Sequence, residues 1–104
     1  MSDAVAVTHN EETHRFEAQL GDAVAFTEYR VEDGVMRLPH TMTPEAFAGR
    51  GVGGQLAKAA LGYAREHGLK VAPTCTFISA YITKHPEWHD LVEPSFRARL
   101  GIAG

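Results

Sequence analysis

The chain has 104 residues, 44% of them hydrophobic and 22% charged, with a formal net charge of −3 at pH 7. That composition suits one compact domain over 1–104 and leaves no room for separate cofactor and substrate domains, and the single cysteine excludes an internal disulfide. The mild acidity argues against a nucleic-acid partner, no apolar run is long enough to span a membrane, and the first seven residues lack a secretion signal, so a cytoplasmic location is expected.

The first forty residues read as strands. Residues 4–8 form a short apolar run, followed by a polar turn over 9–13. From 14 to 20 the chain alternates, with Phe16, Ala18 and Leu20 on one face and Arg15, Glu17 and Gln19 on the other. Gly21-Asp22 marks a turn, 23–31 is rich in aromatic and β-branched residues, and Glu32-Asp33-Gly34 is a hairpin signal before a strand over 35–43. Such short loops join only antiparallel neighbours, which predicts a meander. After a loop over 44–50, Val52, Leu56, Ala59, Ala60 and Tyr63 recur at helical spacing, and His67-Gly68 ends the helix. Residues 69–72 read as a short buried strand, placed parallel to its neighbour by a right-handed crossover through the helix. Phe77, Ile78, Tyr81 and Ile82 predict a second helix stopped near His85-Pro86. The expected class is α+β with a mixed sheet and a core over about 5–92, while 93–104 is weakly patterned and expected as a loosely ordered tail.

The glycine loop Ala48-Gly49-Arg50-Gly51-Val52-Gly53-Gly54 opens the main helix. Glycines let a ligand approach the backbone, and a helix N-terminus presents unpaired N–H groups and a positive dipole end. Together these suit a phosphate or pyrophosphate; the plain alternative is a flexible loop with a glycine-rich helix start. Glycine costs about 1 kcal/mol per helix position relative to alanine, which weighs for a ligand. No Gly-Lys-Ser or Gly-Lys-Thr follows, so this is not a P-loop. Gly49, Gly51 and Gly54 satisfy a dinucleotide fingerprint, but Pro44-Glu45-Ala46-Phe47 separates them from the strand, and too little chain remains for that fold.

Strands, a glycine loop opening a helix, then a strand and a second helix resemble the GCN5-related N-acetyltransferase (GNAT) fold. That family's cofactor motif, Arg/Gln-x-x-Gly-x-Gly/Ala, is matched by Ala48-Gly49-Arg50-Gly51-Val52-Gly53, with Ala48 departing at the first position and Arg50 a possible substitute. His40-Thr41, Pro73-Thr74-Cys75-Thr76-Phe77, Tyr81 and His85-Pro86-Glu87-Trp88-His89-Asp90-Leu91-Val92 resemble its minimal stand-alone subfamily, often called YjdJ-like or NATD1-like. The resemblance covers about residues 15–92. It implies an acetyl-CoA-dependent N-acetyltransferase acting on a primary amine, with acetyl-CoA as co-substrate, and leaves a non-catalytic CoA- or acyl-CoA-binding module as the alternative. Thr41, Met42 and Thr43 would offer backbone groups to the pantetheine arm, in a splay beside the 69–72 strand. Ala48, Gly49, Arg50, Gly51, Val52, Gly53 and Gly54 would hold the pyrophosphate, and Cys75 and Tyr81 would border the thioester.

Amine acetylation needs a deprotonated amine, a polarised carbonyl and a proton for the leaving thiolate. Tyr81 is the candidate acid, against a packing role beside Phe77 and Ile78. Cys75, where a helix N-terminus favours thiolate, is a candidate acyl acceptor or pocket residue, against a structural thiol. His40 alternates with Met36 and Leu38, which places it on their inward face as a candidate base or a hydrogen-bonded core histidine. His85 and His89 have the spacing of a metal pair, but Pro86 and the want of further ligands read as a turn and helix start, so no metal is expected. The acceptor is unidentified, and a monomer or weak dimer is expected.

Overall fold

The computed structural model describes residues 7–20, 22–44 and 51–101. Strands β1 (Val7–Asn10), β2 (Arg15–Leu20), β3 (Ala23–Glu32) and β4 (Val35–Met42) form an antiparallel meander. Helix α1 (Val52–Glu66) then carries the chain back, so β5 (Lys70–Ala72) adds to β4 in parallel and completes a sheet ordered β1-β2-β3-β4-β5. The mixed α+β architecture is the expected one. Asp33 and Gly34, both at positive φ, make the tight turn between β3 and β4.

Two boundaries differ from the sequence pattern. His9 and Asn10 lie in β1 opposite Phe16 and Arg15, and the turn falls over residues 11–14. The reason is tertiary: the His9 ring stacks on Phe16 at 4.3 Å and hydrogen-bonds the Tyr29 hydroxyl, which holds a polar residue in the strand. At the other end, residues read as a loose tail form helix α3 (Pro94–Leu100). Val92 bridges Val71 in parallel, the Glu93 N–H donates to the Val71 carbonyl at 2.8 Å, and Phe96 packs on the core.

The core lies between the sheet and α1. Phe16, Ala18, Ala25, Tyr29, Met36 and Leu38 face Leu56, Ala57, Ala60, Leu61 and Ala64. The small alanines let the helix lie close to the sheet, while each large aliphatic side chain buried contributes roughly 1.5–3 kcal/mol. Ala59 and Tyr63, two residues of the predicted stripe, are only half-buried beside it. Helix α2 (Thr76–Lys84) and a 3-10 helix (Pro86–Leu91) follow β5.

One irregularity matters for the site. Glu28 pairs with His40 and Arg30 with Arg37, so three steps along β4 oppose two along β3. The extra residue lies at Leu38-Pro39, where proline's missing N–H fits a bulge rather than a continuous ladder. A one-residue bulge reverses the alternation of everything beyond it. Met36 and Leu38 are buried, but His40 is exposed and Thr41 takes the inward position. The expectation that His40 shares the face of Met36 and Leu38 is therefore corrected.

Candidate functional site

β5 pairs with β4 only at residues 35–37. Past that point the chain turns away at Pro73, and the last backbone link to β4 among the described residues is the Cys75 N–H donating to the Leu38 carbonyl at 2.9 Å. The Thr74 hydroxyl reaches the same carbonyl at 3.4 Å. From residue 39 to residue 42, β4 keeps β3 on one side and has no strand on the other among the described residues. An unpaired strand edge thus begins next to Cys75.

Helix α1 starts against α2, whose N-cap Cys75 meets this edge. Gly51, its N-cap, sits at φ 66°, ψ 21°, a left-handed conformation that costs any residue with a Cβ. Among the described residues no side chain caps the helix, and its first turn holds no acidic residue. The amides of Val52, Gly53 and Gly54 therefore have no intrahelical acceptor and none outside the helix among the described residues. Such a row of free donors fits an anion. Gly53 also has a packing cause, missed in the sequence: a Cβ there would meet Phe77 Cζ at 2.6 Å, and one at Gly54 would touch Tyr81 Cε2 at 3.5 Å. The glycines thus let α1 approach α2, in addition to leaving its end open. Val52 points into the core, so only its backbone faces the opening. Ala48, Gly49 and Arg50 lie outside the described residues; Thr43 is exposed just after β4.

Cys75 is half-buried as the N-cap of α2, and its thiol donates to Thr41 Oγ1 at 3.4 Å. Thr41 in turn meets Thr27 Oγ1 at 2.9 Å. Thr27, fully buried on β3, went unnoticed in the sequence, although a hydroxyl at an inward position between Ala25 and Tyr29 was a readable signal. Met42 and His40 face the other way; the His40 ring lies 5.8 Å from Phe26 across the outer face. His40 is therefore not brought together with Cys75.

Tyr81 is half-buried on α2, its ring stacked on His85 at 4.0 Å. Burial pushes its phenol above the ordinary tyrosine value; the Trp88 indole opposes this and the charge of Glu87 adds to it. The indole N–H is itself buried and has no hydrogen-bond acceptor among the described residues. His85 donates from Nδ1 to the Tyr81 carbonyl at 2.7 Å, and His89 from Nε2 to the Ile82 carbonyl at 2.9 Å. A carbonyl can only accept, which sets these protons, and both rings close off the last turn of α2. Two surface clefts lie elsewhere: one of about 530 Å³ between α1 and β1–β2, beside His9, Phe16 and Tyr63, and one of about 440 Å³ beside His14, Tyr29 and Arg30. Neither includes a predicted site residue.

The site's parts form one connected set. Gly53 and Gly54 of α1 meet Phe77 and Tyr81 of α2, and the N-cap of α2 meets Thr41 on the open edge of β4. Residues 15–91 match the family model described as GCN5-related N-acetyl-transferase. The chain is 36% identical to Protein NATD1 of Xenopus tropicalis over 89 residues, which is 82% of this chain and 81% of that protein. It is also 36% identical to Protein NATD1 of Homo sapiens over 86 residues, 79% of this chain and 75% of that one. The solution structure of a GCN5-like protein from Staphylococcus aureus superimposes with a TM-score of 0.69 at 28% identity, covering 89% of this chain and 91% of that one. Agreement of family model, relatives and fold shows that this chain belongs to the GCN5-related N-acetyltransferase superfamily, in its small NATD1-like branch.

Proposed function

We propose that the protein is an acetyl-CoA-dependent N-acetyltransferase whose acceptor is a primary amine. The observation that carries the reading is the junction of an uncapped helix N-terminus, an unpaired β4 edge and the Cys75–Tyr81 helix in one place. The amides of Val52, Gly53 and Gly54, without an acceptor among the described residues, and the positive end of α1 suit a pyrophosphate, with Gly51 supplying the left-handed turn before them. Ala48, Gly49 and Arg50 precede them in the chain, and Arg50 would add a cation. The open edge at Thr41, Met42 and Thr43 suits the amide groups of a pantetheine arm. Acetyl-CoA supplies the activated acetyl thioester. The Tyr81 hydroxyl, whose pKa burial raises, is the donor for the departing sulfur. Cys75 borders the same place. His40 faces away from Cys75, so it serves as a base only for an amine that arrives from the outer face of the sheet.

Calorimetric titration with acetyl-CoA, CoA and NAD tests the reading. Binding of acetyl-CoA and CoA at micromolar levels, none of NAD, and turnover with a primary amine are expected. Tyr81→Phe should spare binding and lower turnover by about a hundredfold. Binding without turnover on any amine would favour a CoA-binding module, and no binding of either CoA species would overturn both.

A further inference from the structure

Gly62 stands in the interior of α1 with no cause inside the monomer. Its backbone is right-handed, so no turn requires a glycine, and a Cβ there would meet nothing within 4 Å, so no neighbour does either. Glycine is less favourable than alanine at such a position. Four residues to either side are Lys58 and Glu66, both exposed and neither with an ion-pair or hydrogen-bond partner among the described residues. The spacing sets Lys58, Gly62 and Glu66 in one row on the helix surface, on the face turned away from Leu56, Ala60 and Ala64 and the core. Beside the row runs the cleft of about 530 Å³, walled by Phe16 and Tyr63, with Lys58, Gly62 and Glu66 on its helical side.

We propose that this face of α1 docks a second copy of the chain, the two helices lying antiparallel about a two-fold axis through Gly62. Four residues of helix advance by about 6 Å along the axis and about 40° around it. Lys58 and Glu66 are therefore displaced equally and oppositely from Gly62, and the two-fold carries one onto the place facing the other. Lys58 meets Glu66 of the second copy and Glu66 meets its Lys58, so two ion pairs flank the point where the glycines touch. The row holds one cation and one anion at equal distances from the glycine, so its complement is the same row turned end for end. A parallel pairing would set lysine against lysine and glutamate against glutamate. The missing side chain at 62 lets the helices approach closely, which is the cause the monomer lacks. Because Glu66 lines the cleft, the aliphatic stem of the second copy's Lys58 lies across its mouth, against Tyr63. Gly53 and Gly54 lie on the flank of α1 that meets α2, so docking leaves the acetyl-CoA site of each copy open, and the inference stands apart from the acetyl-transfer reading.

Sedimentation velocity of the full chain over a range of concentrations tests the proposal. The mass should rise toward twice that of the chain with concentration, and added salt should weaken the association. Lys58→Glu and Glu66→Lys, both at exposed positions, should each weaken it about tenfold, since each turns two attractive pairs into two repulsive ones. The chain carrying both reversals should dimerise like the natural one, and an equimolar mixture of the two single variants should associate although neither does so well alone. A second measurement needs no charge change. In a Cys75→Ser background, which removes the natural cysteine, Gly62→Cys should form an interchain disulfide on mild oxidation, because the two-fold sets the residue against itself. Lys58→Cys should not, because it faces position 66. A chain that stays monomeric at every concentration, a dimer indifferent to either single reversal, a double reversal that fails to restore it, or cross-linking equal at positions 58 and 62 would overturn the proposal. No CoA species enters these measurements, so their outcome is independent of the acetyl-CoA titration.

Discussion

At position 53 a single methyl group would meet the tip of the Phe77 ring at 2.6 Å, yet Phe77 is 41% exposed and can swing outward. Two effects compete there. Alanine gains about 1 kcal/mol of helix propensity over glycine, and the displaced ring gives up its packing. In a Phe77→Ala background only the first effect remains, so Gly53→Ala should raise stability by about 0.5–1 kcal/mol. With Phe77 present the same change should be less favourable by about 1 kcal/mol or more, which a double-mutant cycle in urea measures. Absence of coupling would leave ligand approach as the sole reason for that glycine. His40 and Thr41 make the complementary point. Their residue types are readable, but which of the two faces Cys75 depends on one inserted residue at Leu38-Pro39.

Among the elements, the 3-10 helix after α2 is held to the end of α1 by Arg65. Its guanidinium donates to both Asp90 carboxylate oxygens, at 3.1 and 3.0 Å, and to the Glu87 carbonyl at 2.6 Å, and lies over the Trp88 ring. The Arg65 hydrogen bond holds the Asp90 carboxyl below the usual carboxylate range. A carboxyl that is harder to protonate in the folded state adds stability above its unfolded value and loses it as pH falls through the folded one. Asp90→Asn should accordingly lower the Tm at pH 7, with the difference shrinking as the pH is taken down through the lowered folded-state value. The effect should be small, because the two side chains are 46% and 65% exposed. A Tm difference that stays the same as the pH falls would assign the loss to packing instead. The glycine loop and α2 were legible from spacing alone, whereas β1 and α3 were misjudged because His9, Val92 and Phe96 owe their places to partners far along the chain.

For the molecule as a whole, one hydrophobic cluster runs from Phe16 to Val92, with the single tryptophan, Trp88, packed on its margin. A single core of this kind unfolds as one unit. Trp88 fluorescence and far-UV circular dichroism should then report coincident urea transitions. An earlier fluorescence transition would show that α2 and the 3-10 helix open separately from the sheet.

Alternation in β2 and β3, the 3.6-residue spacing of α1 and α2, the turn at Asp33-Gly34 and the motif Gly49-Arg50-Gly51-Val52-Gly53 are local properties, set within a few residues of each other. They were enough to specify an α+β chain, because backbone sterics and side-chain periodicity act over short separations, while the superfamily was indicated by the resemblance of its motifs. Only the tertiary structure decided that β4 carries a bulge, that Gly53 faces Phe77, and that Thr27, Thr41 and Cys75 share one chain of hydrogen bonds. The last two join residues 14 to 34 positions apart, and strand register and the packing of α2, rather than any local pattern, bring them within reach.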